Sequence, residues 1–334
     1  MWGMEVFMKT YQYNVYTKET FNATGKAKGD IIQILDSLGI NNLYSPSSHR
    51  AVRIVQQIIA TTKLRGQNNS VLIIQYPAVI DSFIDRVANH CRLIGIIHDL
   101  QSIRGDKSVQ DEIRVLNQFD VLISHNSLMS NYLREKGCKS KIIDLEIFDY
   151  LTDGLNETKV DFSKKRVAFA GNLDKSEFVK KLFTIKDVNF RLYGLIQDKK
   201  TLHDVKYAGV LPSDEIVNQL EGEFGLIWDG DEITTCAGTL GNYLRFNNPH
   251  KLSLYLAAGK PVIVWKNAAV ARFVEDNQVG ITINSLNELP KLLNQLTESQ
   301  FSQLRANVKR VRARLIKGEY TKTAIKSALQ TEEK

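Results

Sequence analysis

"NNPHKLSLYLAAGKPVIVW", residues 247–265, is the stretch from which the fold is read. Asn248 suits an N-cap and Pro249 suits the first helical position, so a helix is expected to begin here. Its body is almost wholly apolar, Gly259 stands where a helix C-terminus needs a left-handed residue, and "KPVIVW" reads as a buried strand. A helix running into a strand that is apolar on both faces is the repeating unit of a parallel α/β sheet. His250 and Lys251 fall in the first turn, where the helix dipole is already positive. A cation there costs about 0.3–1 kcal/mol unless an anion shares the site, and the unpaired N–H groups of that turn attract phosphate. A lysine that simply reaches into solvent explains the same residue.

The pattern extends in both directions from this stretch. Upstream and downstream in the second half, strands are expected at 166–172, 189–194, 205–210, 224–230, 260–265 and 279–283. In the first half they are expected at 12–17, 41–45, 70–77, 92–99, 120–126 and 141–147, with helices at 28–39 and 49–64 between them. Short β-rich runs alternating with helical stretches predict α/β doubly wound sheets. From Phe148 to Lys165 the chain turns polar and turn-rich. The expected organisation is therefore an N-terminal Rossmann-like domain over 8–150, a linker over 151–165, and a C-terminal Rossmann-like domain over 166–310. A basic helical tail over 311–334 follows, carrying Arg312, Arg314, Lys317, Lys322 and Lys326. That tail reads either as the solvated face of a packed helix or as a membrane- or nucleic-acid-binding face.

Composition narrows the class. The 334 residues carry 44 Lys and Arg against 37 Asp and Glu, a formal charge of +7 that favours anionic partners. Three widely spaced cysteines give no disulfide framework or zinc spacing, which fits a reducing cytoplasm. No run approaches the ~18 apolar residues of a spanning helix, and "MWGMEVFMKTYQYNVYTKE" lacks the plan of a signal peptide. No nucleic-acid recognition module is visible. A soluble cytoplasmic protein without stable membrane insertion and without a nucleic-acid partner is expected.

Ligands of open α/β sheets sit beyond the carboxyl ends of the strands. In "FAGNL" (169–173), Gly171 permits a sharp turn and Asn172 offers an amide, although an ordinary strand-to-helix turn explains both. "TKETFNATGKAKGD" (17–30) reads as a polar loop whose Asn22, Thr24, Gly25 and Lys26 line a cleft, without matching a phosphate-loop pattern. "IIHDLQSIRGD" (96–106) ends an apolar strand on His98 and Asp99. Either could act as a general base toward a sugar hydroxyl, or they are a structural histidine and an N-cap. Asp229 and Asp231 in "GLIWDGD" have the spacing of a weak metal motif without a third ligand, and a flexible loop accounts for them.

In order and spacing, "VAFAGNL", "FRLYG", "VKYAGVLPSDEIVNQL", "NNPHKLSLYLAAGKPVIVW" and "FVEDNQVGITINSLNEL" resemble the nucleotide-sugar-binding half of GT-B glycosyltransferases. The first half, with "GKAKGD" and "IIHDLQSIR", resembles the streptococcal glucosyltransferases that extend the GlcNAc on serine-rich-repeat adhesins. The resemblance implies two Rossmann-like domains facing a cleft, with C-terminal helices packing back on them. It implies Lys251 at the donor diphosphate, Asn248 and His250 beside it, Tyr243, Tyr193 and Gly194 near the nucleotide or sugar, and Gly171 and Asn172 at the cleft floor. On the acceptor side it implies Asn22, Thr24 and Asp99, with His98 adjacent. Retaining GT-B enzymes often carry two glutamates eight residues apart before this helix; "WDGDEITTCAGTLGNYLRF" has no such pair, which favours inversion with Asp99 as base.

The expected activity is transfer of a hexose, glucose from UDP-glucose, to a GlcNAc-bearing serine-rich-repeat protein, with no bound metal or other cofactor. A homo-oligomer is expected from the resemblance and the helical tail. Two other readings stand beside it: a non-catalytic companion subunit that binds glycoprotein or a partner transferase, and a sugar-nucleotide epimerase of the same fold.

Overall fold

The computed structural model describes residues 9–13, 23–44, 47, 49–66, 69–77, 80–154, 161–213 and 215–331. Two compact units divide the chain. The first holds Met1–Glu19, Lys28–Leu145 and Tyr320–Lys334; the second holds Thr20–Ala27 and Glu146–Glu319.

In the first unit the apolar runs form β1 (Lys9–Tyr13), β2 (Ser70–Tyr76), β3 (Arg92–Ile97), β4 (Val121–Ser124) and β5 (Lys141–Asp144). They pair in that order as a parallel sheet. Every residue of β2, β3 and β4 is buried, as a parallel sheet covered on both faces requires. The segment 41–45, expected as a strand, contributes over its described residues 41–44 a single parallel bridge from Asn42 to Gln12. Its two asparagines have poor strand propensity, and Asn41 is exposed, so nothing extends the pairing. The bridge still has a topological effect. The chain leaves β1 toward Asn42 on one side and returns on the other as β2, so the winding reverses at β1.

Helix α1 (Ala23–Ser37) begins earlier than expected, and it absorbs the second half of the stretch 17–30 read as a loop. Ala27, Ile31, Ile34 and Leu35 are buried at helical spacing, and that burial overrides the low propensity of Gly25 and Gly29. Helix α2 (Arg50–Arg65) follows.

The second unit forms β6 (Arg166–Ala170), β7 (Asn189–Tyr193), β8 (Lys206–Gly209), β9 (Phe224–Ile227), β10 (Val262–Trp265) and β11 (Gly280–Ile283). Their order, β11-β10-β9-β6-β7-β8, is that of the Rossmann fold, with all pairs parallel. The sequence winds outward from β6 to β8, then crosses back to β9 on the other side of β6. The switch point therefore lies between the carboxyl ends of β6 and β9.

The stretch from Phe148, read as polar linker, starts buried. Phe148 and Tyr150 are core residues, and Ser253 Oγ donates to the Phe148 carbonyl at 2.5 Å. The basic tail is two packed helices. Glu298–Leu315 buries Phe301, Val308, Val311 and Leu315, and Glu319–Gln330 buries Tyr320, Ala324, Ile325 and Ala328. Buried Arg92 donates to the carbonyls of Ala328 and Leu329, so a cation satisfies the unpaired end of the last helix. Among the described residues no helix is long and apolar enough to cross a membrane.

Candidate functional site

The site grows from the ends of β6 and β7. Ala170 closes β6 and its N–H donates to Tyr255 Oη at 2.8 Å, which ties the strand end to the helix His250–Ala257. Gly171 follows, with its N–H on the Tyr193 carbonyl at 3.0 Å. Gly194, at the end of β7, has φ +135°, and a Cβ there would stand 1.7 Å from the Gly171 carbonyl oxygen. Only glycine fits this crossing, so the two strand ends meet as bare backbone and form a smooth floor.

Lys251 stands at the second position of the helix His250–Ala257. Its Nζ lies 3.2 Å from Asp229 Oδ2, 3.3 Å from the Trp228 carbonyl and 4.3 Å from the Phe169 ring centroid. Trp228 and Asp229 continue from the end of β9. The ammonium therefore sits at the switch point, between the β6 and β9 ends, beside the unpaired N–H groups of its own helix. That arrangement recruits anions. Asp229 also resolves the electrostatic oddity of a first-turn lysine: a resident carboxylate already offsets the dipole cost. Sequence reading treats Asp229 as a flexible-loop residue, because only the placement of β9 beside β6 brings it to Lys251.

His250 behaves differently from its neighbour. Its ring stacks on Tyr150 with centroids 5.1 Å apart and meets Phe148 edge-on. Burial and the Lys26 charge push its pKa down to about 3, so the imidazole is neutral at pH 7 and adds no positive charge. A hydrogen bond to the Asp149 backbone engages one side of the ring. Nε2 is buried with no partner among the described residues, an open hydrogen-bonding position.

A cavity of about 270 Å3 gathers these groups. Its polar side is Lys26, Lys251, His250, Asn172 and Ser213; Ala170, Gly171 and Gly194 belong to its floor; Tyr150, Tyr193, Leu195, Val210, Leu211, Ile216 and Leu254 complete the wall. Lys26 comes from the first turn of α1, with Nζ 4.6 Å from the Tyr150 ring centroid and 2.7 Å from the Leu151 carbonyl. Two ammonium groups beside apolar and aromatic walls suit a phosphorylated ligand with a ring attached. Lys26 is the cleft-lining residue expected from the stretch 17–30, now carried on a helix and not a loop, whereas Tyr150 carries no motif of its own and only the fold reveals it as a wall residue.

The structure thus brings Gly171, Asn172, Tyr193, Gly194, His250 and Lys251 together. As with Lys251 and His250, part of the polarity of Tyr193 and Asn172 is committed: Tyr193 Oη accepts from the Glu221 N–H, and Asn172 Oδ1 accepts from the Lys175 N–H. Tyr243 and Asn248 are buried and do not line the cavity. Asn248 does not cap the helix: its Nδ2 donates to the Glu146 carbonyl at 2.9 Å, and Pro249 takes the N-cap position with an extended ψ of 131°. The helix consequently starts one residue later than expected.

His98 and Asp99 belong to the first unit, at the end of β3. His98 is buried, with Nε2 2.6 Å from Gln75 Oε1. Asp99 pairs with Arg104 at 2.9 Å. Asn22 lies outside the described residues, as does the side chain of Thr24. Among the described residues no group of three or more His, Cys, Asp or Glu gathers as metal ligands would.

Comparison with known proteins gives a consistent family. Residues 9–147 match the family described as glucosyltransferase 3-like, N-terminal domain, and residues 167–328 match its C-terminal domain. The chain is 35% identical to the β-1,6-galactofuranosyltransferase WbbI of Escherichia coli K12, over 83% of this chain and 86% of that one. It is 24% identical to glucosyltransferase 3 of Streptococcus gordonii, over 96% and 98%. Among solved structures, the Anabaena protein Alr3699/HepE in complex with UDP and glucose aligns with a TM-score of 0.60 at 12% identity, covering 96% of this chain and 98% of that one. Trehalose-6-phosphate synthase OtsA aligns with a TM-score of 0.56 at 10% identity, covering 93% and 84%. The two family models together take in most of the chain, which therefore belongs to the glucosyltransferase 3-like family of glycosyltransferases, with the GT-B fold.

Proposed function

We propose that this glycosyltransferase moves a hexose from a UDP-sugar to a saccharide hydroxyl, with the donor diphosphate held in the second-unit cavity. The observation that carries the proposal is the convergence of the Lys251 ammonium and a helix N-terminus on the Rossmann switch point. Those groups, with Lys26 nearby, would balance the charge that builds on the departing UDP. The proposal assigns that charge to the protein, not to a metal. Gly171 and Gly194 let the donor lie against backbone. The same reading places the reaction in the cytoplasm, where UDP-sugars are made.

Asp99 is proposed as the general base that takes the acceptor proton, with inversion at the anomeric carbon. The β linkage in the name of the E. coli relative fits inversion at an α-configured nucleotide sugar. Arg104 holds the carboxylate in the structure, so that pair must loosen for Asp99 to accept a proton.

Two hexoses divide the proposal. Glucose from UDP-glucose onto a GlcNAc-bearing serine-rich-repeat protein follows from the family resemblance and the streptococcal relatives at 24% and 23% identity. Galactofuranose onto a glycan is favoured by the relative at 35%. The test is incubation with UDP-glucose, UDP-galactose and UDP-galactofuranose against GlcNAc-bearing peptide and free oligosaccharide acceptors, read by mass spectrometry. Added hexose from one donor supports the proposal and selects the sugar; unchanged acceptors with every donor would count against it.

A further inference from the structure

Helix α2 is amphipathic the wrong way round. Gln57 and Thr61 lie on its buried face beside Ala60 and Leu64. Val52, Ile54, Val55, Ile58 and Ile59 point away from the protein and are 43% to 55% exposed. At the helical period Val55 sits in the middle of that face, with Val52 and Ile59 to one side and Ile54 and Ile58 to the other. A surface helix in water normally turns such a row inward, and a clustered apolar face left outward marks a contact surface.

Charge decides what fits it. The helix reads RAVRIVQQIIATTKLR, with Arg50, Arg53, Lys63 and Arg65 and no acidic residue. Lys63 and Arg65 flank the apolar face on opposite sides. Lys63 lies over the rings of Tyr11 and Tyr44, and Arg65 Nε donates to His90 Nε2 at 2.8 Å, which steadies both at the rim. Two copies joined through this helix, parallel or antiparallel, would bring basic ends together with no carboxylate on either helix to pair with them. The five side chains also offer on the order of 400 Å2, roughly half of what one partner gives to a stable protein interface. A layer of anionic lipid meets both conditions, because it accepts shallow insertion of aliphatic side chains and pairs with the flanking cations.

We propose that α2 docks the protein on an anionic bilayer surface, with its Val and Ile row at the headgroup boundary and Lys63 and Arg65 at lipid phosphates. The inference is independent of the donor reading. It is tested by co-sedimentation of the full chain with vesicles of phosphatidylcholine alone and of phosphatidylcholine with equimolar phosphatidylglycerol. Wild type is expected on the mixed vesicles and not on the neutral ones. Val55→Glu/Ile58→Glu should weaken that partition by about tenfold or more, with an unchanged circular dichroism melt because both side chains are exposed. Lys63→Glu/Arg65→Glu should weaken it as well, with the apolar row intact. The proposal is overturned if wild type ignores the mixed vesicles, partitions equally onto neutral ones, or binds undiminished in the Val55/Ile58 variant. It is also overturned if sedimentation equilibrium shows a dimer that this variant dissociates.

Discussion

Removing the Lys251 ammonium should do more than delete one contact. In the proposed donor site, Lys251→Met would take a charge-assisted hydrogen bond from the UDP diphosphate, about 1.5–3 kcal/mol. It also leaves Asp229, whose Oδ2 now lies 3.2 Å from the ammonium, as an uncompensated carboxylate beside the phosphates. At a separation near 6 Å and an effective dielectric near 20, that repulsion adds about 1–2 kcal/mol after solvent screening. Together these raise the Kd for UDP by roughly 70- to 5,000-fold. The second contribution is separable. Lys251→Met/Asp229→Asn keeps the first loss and removes the repulsion, so it should recover about tenfold in affinity. Asp229→Asn alone should tighten UDP binding, because it releases Lys251 from its resident partner. Isothermal titration with UDP reads all four proteins, with melts confirming that each is folded. UDP affinity within threefold of wild type in Lys251→Met, or no recovery in the double variant, would refute the reasoning.

Three further outcomes follow from the geometry. Gly194→Ala places a methyl group 1.7 Å from the Gly171 carbonyl oxygen at φ +135°, so it should cost at least about 2–4 kcal/mol in urea denaturation and abolish UDP binding. Asp99→Asn should lower kcat by about 10²- to 10⁴-fold with UDP affinity preserved, and a parallel loss of UDP affinity would remove Asp99 from the role of base. His250 and His125 are held neutral by burial, with pKa pushed down to about 3 and about 4. Their unfolded forms take up protons below about pH 6.5 while the native forms do not, so stability present above that pH is lost as pH falls toward 3 to 4. Between pH 7 and pH 5 each contributes a loss of about 2 kcal/mol, read from urea midpoints, and His250→Asn should make the decline shallower.

How much of this is legible in the sequence depends on where the information resides. The second-unit strands start within two residues of their expected positions, because each is a short apolar run between turn residues, buried on both faces. In the first half, "NNLYS" carries the right position but too little apolar pattern to pair beyond one bridge. The start of α1 is hidden by Gly25 and Gly29, whose low helical propensity is overcome by a buried row that becomes visible only once the sheet exists. The cavity shows the same division. Gly171 follows from the rule that ligands sit at strand ends and Lys251 from the anion-attracting start of a helix, while Gly194 follows from the family resemblance. Asp229 depends on strand order, Lys26 and Tyr150 meet across more than a hundred residues, and the neutrality of His250 depends on what buries it. Asn248 is the opposite case: a good capping residue whose side chain is claimed instead by the Glu146 carbonyl.

The central claim is that the second-unit cavity at the Lys251 helix receives the UDP moiety of the donor. Hydrogen–deuterium exchange of the full chain with and without saturating UDP tests it most directly. The account predicts slowed exchange in three peptides, covering 169–173, 193–195 and 249–254, with the β1 to β5 sheet unchanged. Absence of UDP protection in those three peptides, or protection confined to the first unit, would contradict it.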